Sequence, residues 1–124
     1  MAGSGTVLAV ARAKGHRAIG VDLDPLAVLL AGVWTRTVAP ESVTEKAVEV
    51  LARAKGAART LSPGSAYPAG SDDETRKFIR YWFDDYARGQ LAALSCAISR
   101  VRDQATRDVL WCGFSRLIIT KSAG

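Results

Sequence analysis

Apolar residues recur at helical spacing along most of this 124-residue chain, and runs that read as strand are scarce. Val7, Leu8, Val10 and Ala11 mark the inward side of a first helix over about 7–14, with Gly15 as its C-terminal cap. Arg17 to Val21 reads as the one strand. Asp24 caps the next helix and Pro25 takes its first position, where a missing N–H costs nothing. Leu26, Leu29, Leu30, Val33 and Trp34 carry that helix to about Val38, short of Pro40.

Ser42 to Glu45 has the form of a capping box, in which hydroxyl and carboxylate satisfy each other's orphan amides. The helix it opens reaches about Arg59, with Val43, Ala47, Val50, Leu51 and Ala54 on one face and charges on the other. Thr60 to Gly70, rich in proline and glycine, is the longest loop, and disorder is not expected except near 60–73. A second capping box, Ser71 to Glu74, opens a helix bearing Phe78, Ile79, Trp82, Phe83 and Tyr86. Gly89 either breaks that helix or weakens it. Leu91, Leu94, Ile98 and Val101 continue the pattern to about Arg102, and Val109, Leu110, Phe114, Leu117 and Ile118 mark a last helix over 105–121. The pattern predicts an α/β head over 1–59, a loop over 60–73 and a helical segment of the same domain over 74–124.

The head carries the chemistry. Ala2-Gly3-Ser4-Gly5-Thr6 is a glycine turn that opens a helix, and Asp22 follows 17 residues after Gly5 at the end of the strand. That arrangement holds nucleosides in α/β folds: glycines let the backbone come close to the ligand, and the carboxylate accepts from the ribose hydroxyls. The third glycine of a dinucleotide fingerprint is replaced by Leu8, which disfavours NAD. The lysine of a triphosphate loop is also missing, since Lys14 lies at the far end of the helix, and ATP is disfavoured too.

Ala2 to Thr6 together with Ile19-Gly20-Val21-Asp22-Leu23-Asp24-Pro25 resembles motif I of the S-adenosylmethionine-dependent methyltransferases, in particular those that methylate amino groups of DNA bases. A softer resemblance joins Tyr81 to Phe83, Leu91 to Leu94, Leu110-Trp111, Phe114 to Ile118 and Ser122 to the segment that follows motif I in a subgroup of bacterial DNA methylases. The resemblance implies S-adenosyl-L-methionine as cofactor and a partial Rossmann-like fold. Ala2, Gly3, Ser4, Gly5, Thr6, Asp22 and Leu23 would line the cofactor site. Asp22 would take the ribose and Leu23 the adenine face; Ser4 and Thr6 either add hydroxyl contacts or cap the first helix.

In that family an apolar strand and an Asp-Pro pair precede the glycines, so Met1 falls inside motif I and the chain reads as a fragment lacking the first strand. A lone strand is unstable. Arg17 to Val21 is therefore expected to be unpaired or to borrow an edge from another copy. The family's catalytic loop, Asp/Asn-Pro-Pro-aromatic, is absent; Ser62-Pro63 and Tyr67-Pro68 lack both the paired prolines and the acid or amide. No catalytic residue is assigned, and no turnover is expected from this chain alone.

Composition changes the picture little. The chain is 48% apolar and 23% charged, as ordinary globular chains are. Its net charge of +5, from 17 basic and 12 acidic residues, suits a DNA partner and equally a set of solvated arginine-rich helices. Arg76, Lys77, Arg80, Arg88, Arg100, Arg102, Arg107 and Arg116 are the candidate phosphate contacts. No apolar run reaches the ~18 residues of a membrane span, and no signal segment opens the chain, so a cytoplasmic location is expected. Cys96 and Cys112 read as buried free thiols, and the lone His16 supports neither a metal site nor a serine triad. Two other functions fit less of the sequence: a methyltransferase acting on RNA or a small molecule, and a non-catalytic basic helical protein that binds nucleic acid or a partner.

Overall fold

The computed structural model describes residues 2–121, with side chains as far as residue 118; Met1 and Ser122 lie outside the described residues. Among the described residues six α-helices follow one another: α1 (Thr6–Ala13), α2 (Pro25–Trp34), α3 (Pro40–Ala58), α4 (Asp73–Trp82), α5 (Asp85–Ser99) and α6 (Gln104–Lys121). A 3-10 turn at Pro63–Ser65 lies between α3 and α4.

No strand occurs among the described residues, and the expected α/β, Rossmann-like class gives way to an all-helical arrangement. The cause is pairing. Strand stability comes from a ladder to a neighbour, and among the described residues nothing lies beside Arg17 to Val21 to complete one. One side of this segment leans on α1, where a Cβ on Gly20 would come within 2.6 Å of Leu8 Cδ1. The other side is bare: Ile19 is 94% exposed and Leu23 100%. With no sheet to cover, Val7 and Val10 of α1, expected inward, are exposed as well.

Helix ends are set by local chemistry that shifts several of the expected boundaries. The Thr35 hydroxyl donates to the Ala31 carbonyl at 2.8 Å and ends α2 at Trp34, four residues before Val38. Arg12 of α1 reaches across to the Thr35 carbonyl and, at 2.6 Å, to the Thr37 hydroxyl. Proline pushes the residue before it into extended backbone and itself fits the first helical position, so α3 starts at Pro40 behind an extended Ala39. Ser42 and Glu45 then fall within the helix, and no side chain caps it. Asp72, one residue after Ser71, caps α4 by accepting from the Thr75 amide at 2.8 Å. The aromatic helix breaks at Phe83 and Asp84, where the Asp84 carboxylate accepts from the Ala87 amide at 2.7 Å; Gly89 lies inside α5.

The core forms where α3 meets α5. Val50 and Ala54 pack with Ala93, Ala97, Ile98 and Val101, and Leu110, Trp111 and Phe114 of α6 close over them. Alanines at the seam let two helix axes approach closely. A second tie joins the end of α2 to α6: Arg36 pairs with Asp108, which is 9% exposed and also accepts from the Gln104 amide at 2.6 Å. Of the two free thiols expected to be buried, Cys112 is half-buried and Cys96 is exposed.

Ile98→Ala should remove about 2–5 kcal/mol of stability, seen as a lower midpoint in a denaturant melt followed by circular dichroism. Ile19→Ser, on the bare segment, should stay within about 0.5 kcal/mol of the parent. Equal losses from the two substitutions would show that residues 17–21 are packed after all.

Candidate functional site

Gly5 opens α1 with φ of 81° and is buried. A Cβ there would lie 2.6 Å from the Ala31 Cα in α2, so both the dihedral and the contact require glycine. Gly3, with φ of 51°, faces open space. The Gly5 amide donates to the Ala2 carbonyl at 2.9 Å and closes the turn. Ser4 and Thr6 share a hydrogen bond between their hydroxyls at 2.9 Å, and neither caps α1, which starts with no side-chain cap.

Asp22 meets this turn from the far end of the exposed segment. The Gly3 amide donates to its Oδ2 at 2.9 Å and the Asp24 amide to its Oδ1 at 3.1 Å. These amides, Gly3 foremost, hold the Asp22 carboxyl below its ordinary 3.8, and it is charged at neutral pH. An ionised carboxylate offers about four acceptor positions. The Gly3 and Asp24 amides take one on each oxygen, and the Ala2 and Leu23 amides lower the carboxyl further. Leu23 stands beside it, fully exposed. Asp24 is engaged elsewhere, capping α2 through the Leu26 amide at 2.8 Å.

The structure therefore brings Ala2, Gly3, Gly5 and Asp22 into one loop, with Ser4 and Thr6 paired on its helix side and Leu23 outermost. Among the described residues no three His, Cys, Asp or Glu side chains cluster to hold a metal ion. No helix among them is long and apolar enough to cross a membrane.

Sequence reasoning missed a second assembly, around Tyr67. The Arg88 guanidinium lies 5.0 Å from the centre of its ring and that of Arg76 5.5 Å away, while Arg80 donates to its hydroxyl at 3.3 Å. Arg88 is buried and paired with Asp85 at 2.9 Å, which removes it from the candidate phosphate contacts. Arg107 is likewise engaged, donating to the Val101 carbonyl at 2.8 Å. An aromatic residue within a Pro/Gly loop, followed by arginines at helical spacing, was the available signal. A cleft of about 930 Å³ opens elsewhere, between the start of α3 and residues 100–106. It mixes Arg100 and Arg102 with Glu45 and Asp103, and Glu49 there already holds Lys46 and Arg53.

Comparison with family models, curated proteins and solved structures returns no match.

Gly5→Ala should cost more stability than Gly3→Ala, which meets open space and carries only the dihedral penalty of roughly 1 kcal/mol; chemical melts of the two variants decide it. The pH dependence has a definite sign. Asp22 has a depressed folded value, so its contribution is present above the unfolded 3.8 and is lost as pH falls through the folded value. In an NMR titration the Gly3 amide should shift with a midpoint below 3.8, and a midpoint at or above it would mean that the contact does not form.

Proposed function

We propose that this chain carries the cofactor-binding part of an S-adenosyl-L-methionine-dependent methyltransferase that acts on an exocyclic amino group of adenine or cytosine in DNA. The observation that carries this reading is the hydrogen bond from the Gly3 amide to Asp22 across 19 residues of sequence. Two short segments that resemble halves of one motif meet at the two groups a nucleoside pocket needs. The reading rests on this loop and on no sheet.

In this reading Asp22, held ionised by its amide partners, accepts from the two ribose hydroxyls. Such bonds to an ionised acceptor are among the strong ones. Leu23 offers an apolar surface for the adenine, and Gly3 and Gly5 keep the backbone low enough for close approach. The first-turn amides of α1, which no side chain caps, would be the donors for the cofactor's carboxylate. The bound cofactor supplies an electrophilic methyl group; this chain's residues bind and orient it. Methyl transfer from a sulfonium depends chiefly on in-line positioning of the acceptor amine, and the loop that positions it in the family is absent from this sequence. An enzyme of this kind works on DNA in the cytoplasm.

A second reading, a non-catalytic basic helical protein that binds nucleic acid or a partner, is favoured by the lack of any strand among the described residues. Calorimetry separates the two. S-adenosylhomocysteine should bind the full chain, and Asp22→Ala should weaken binding by about 1.5–3 kcal/mol, as loss of hydrogen bonds to a charged group does. An unchanged affinity in that variant removes the ribose role. No heat at all, together with DNA affinity that falls steeply with salt, selects the second reading.

A further inference from the structure

One face of α4 carries three exposed aromatic side chains. Phe78 is 63% exposed, Tyr81 81% and Trp82 46%. Their rings touch but do not stack: Tyr81 and Trp82 meet edge to face at 5.1 Å and 88°, Phe78 and Trp82 at 6.2 Å and 57°. At 100° per residue, Arg76, Arg80 and Lys77 lie along one arc of the helix and Tyr81, Phe78 and Trp82 along the next. A cationic strip thus runs beside an aromatic one over the last two turns.

The charges are available. Arg76, Lys77 and Arg80 are exposed and form no ion pair among the described residues. Tyr67 holds two of them in place, with Arg80 on its hydroxyl and Arg76 against its ring. The neighbouring acids are largely committed: Asp72 to the Thr75 amide, Asp84 to the Ala87 amide and Asp85 to Arg88. Asp73 and Glu74, in the first turn, lie three and four residues before Arg76, Lys77 and Phe78 on the same helix surface and form no ion pair with either cation.

We propose that the last two turns of α4 form a binding surface for single-stranded nucleic acid, with bases stacked on Tyr81, Trp82 and Phe78 and phosphates held by Arg76, Lys77 and Arg80. The chemistry selects this occupant. Every base presents a π-face, and aromatic side chains alongside a basic track are how unpaired strands are held without sequence choice. An anionic bilayer surface also takes aromatic residues beside basic ones; α4, with ten residues and Ile79 as its one aliphatic side chain, offers little apolar area to bury there, and vesicle binding is an outcome of the test below. The inference deepens the reading above by giving the acceptor strand a contact face. It rests on the nucleic-acid part of that reading and not on the cofactor.

Fluorescence anisotropy of a labelled oligodeoxythymidylate of about 15 nucleotides, titrated with the full chain at several salt concentrations, tests it. The double variant Tyr81→Ala/Trp82→Ala should bind at least roughly tenfold more weakly with its salt slope retained, and Trp82→Phe alone should keep most of the affinity. Arg76→Gln/Arg80→Gln should flatten the slope of log affinity against log salt by about 1.4, at roughly 0.7 for each phosphate no longer neutralised. All these side chains are exposed or peripheral, and helicity is checked on each variant by circular dichroism. Wild-type behaviour in both double variants would overturn the proposal. So would binding to vesicles of anionic lipid without binding to the oligonucleotide, or self-association through this face with no oligonucleotide bound. S-adenosylhomocysteine titrated into the α4 variants should give the parent's result, whichever that is, which keeps failure here distinct from failure of the cofactor site.

Discussion

Close approach of backbones through small side chains is the constraint on which this structure depends. At the body of the molecule, Ala54, Ala93 and Ala97 let α3 and α5 come together, and the larger Val50, Ile98 and Val101 fill the space beside them. At the other end Gly5 lies so close to Ala31 that a Cβ would meet the α2 backbone. The second contact fixes where α1 begins, and hence where the Gly3 amide points. Interiors packed to crystal-like density leave no room for an added methyl group, so the position of the loop follows from the size of two residues.

Electrostatics then decides what each end can do. Asp22 is held charged by the backbone amides gathered round it, those of Gly3 and Asp24 foremost. Asp72, Asp84 and Asp85 are tied to helix N-termini or to Arg88, and Arg76, Lys77 and Arg80 stay exposed with no ion pair among the described residues. The 930 Å³ cleft shows the opposite arrangement, since Glu49 pairs with both Lys46 and Arg53 inside it. Volume alone would single out the cleft. The state of its charges favours the other two places.

Local signals in the sequence were sound where the physics is local. Asp24 and Pro25 start α2 as their chemistry dictates, and the inward positions Val50 and Ala54 of α3 are buried. Capping by Ser42 failed because Pro40 had already started the helix, and Ser71 lost the cap of α4 to the neighbouring Asp72. The strand failed for a different reason: five residues with strand composition make no strand without a partner, and none is present among the described residues. The motif spacing puts Gly3, Gly5 and Asp22 around one ligand; what the structure shows is a direct bond from the Gly3 amide to Asp22, with no sheet beside it among the described residues. An aromatic loop residue followed by arginines at helical spacing signals the Tyr67 assembly but not which groups meet, because the loop returns against α4 and α5 only in three dimensions.

The most direct test of the central claim, that the glycine turn and Asp22 form one nucleoside site, is a two-dimensional amide NMR spectrum recorded as S-adenosylhomocysteine is added. The account predicts shifts concentrated at Gly3, Gly5, Asp22 and Leu23, with the α3 and α5 core amides unmoved. Shifts confined to α4 or to the cleft beside α3, or no shifts at saturating ligand, would contradict it.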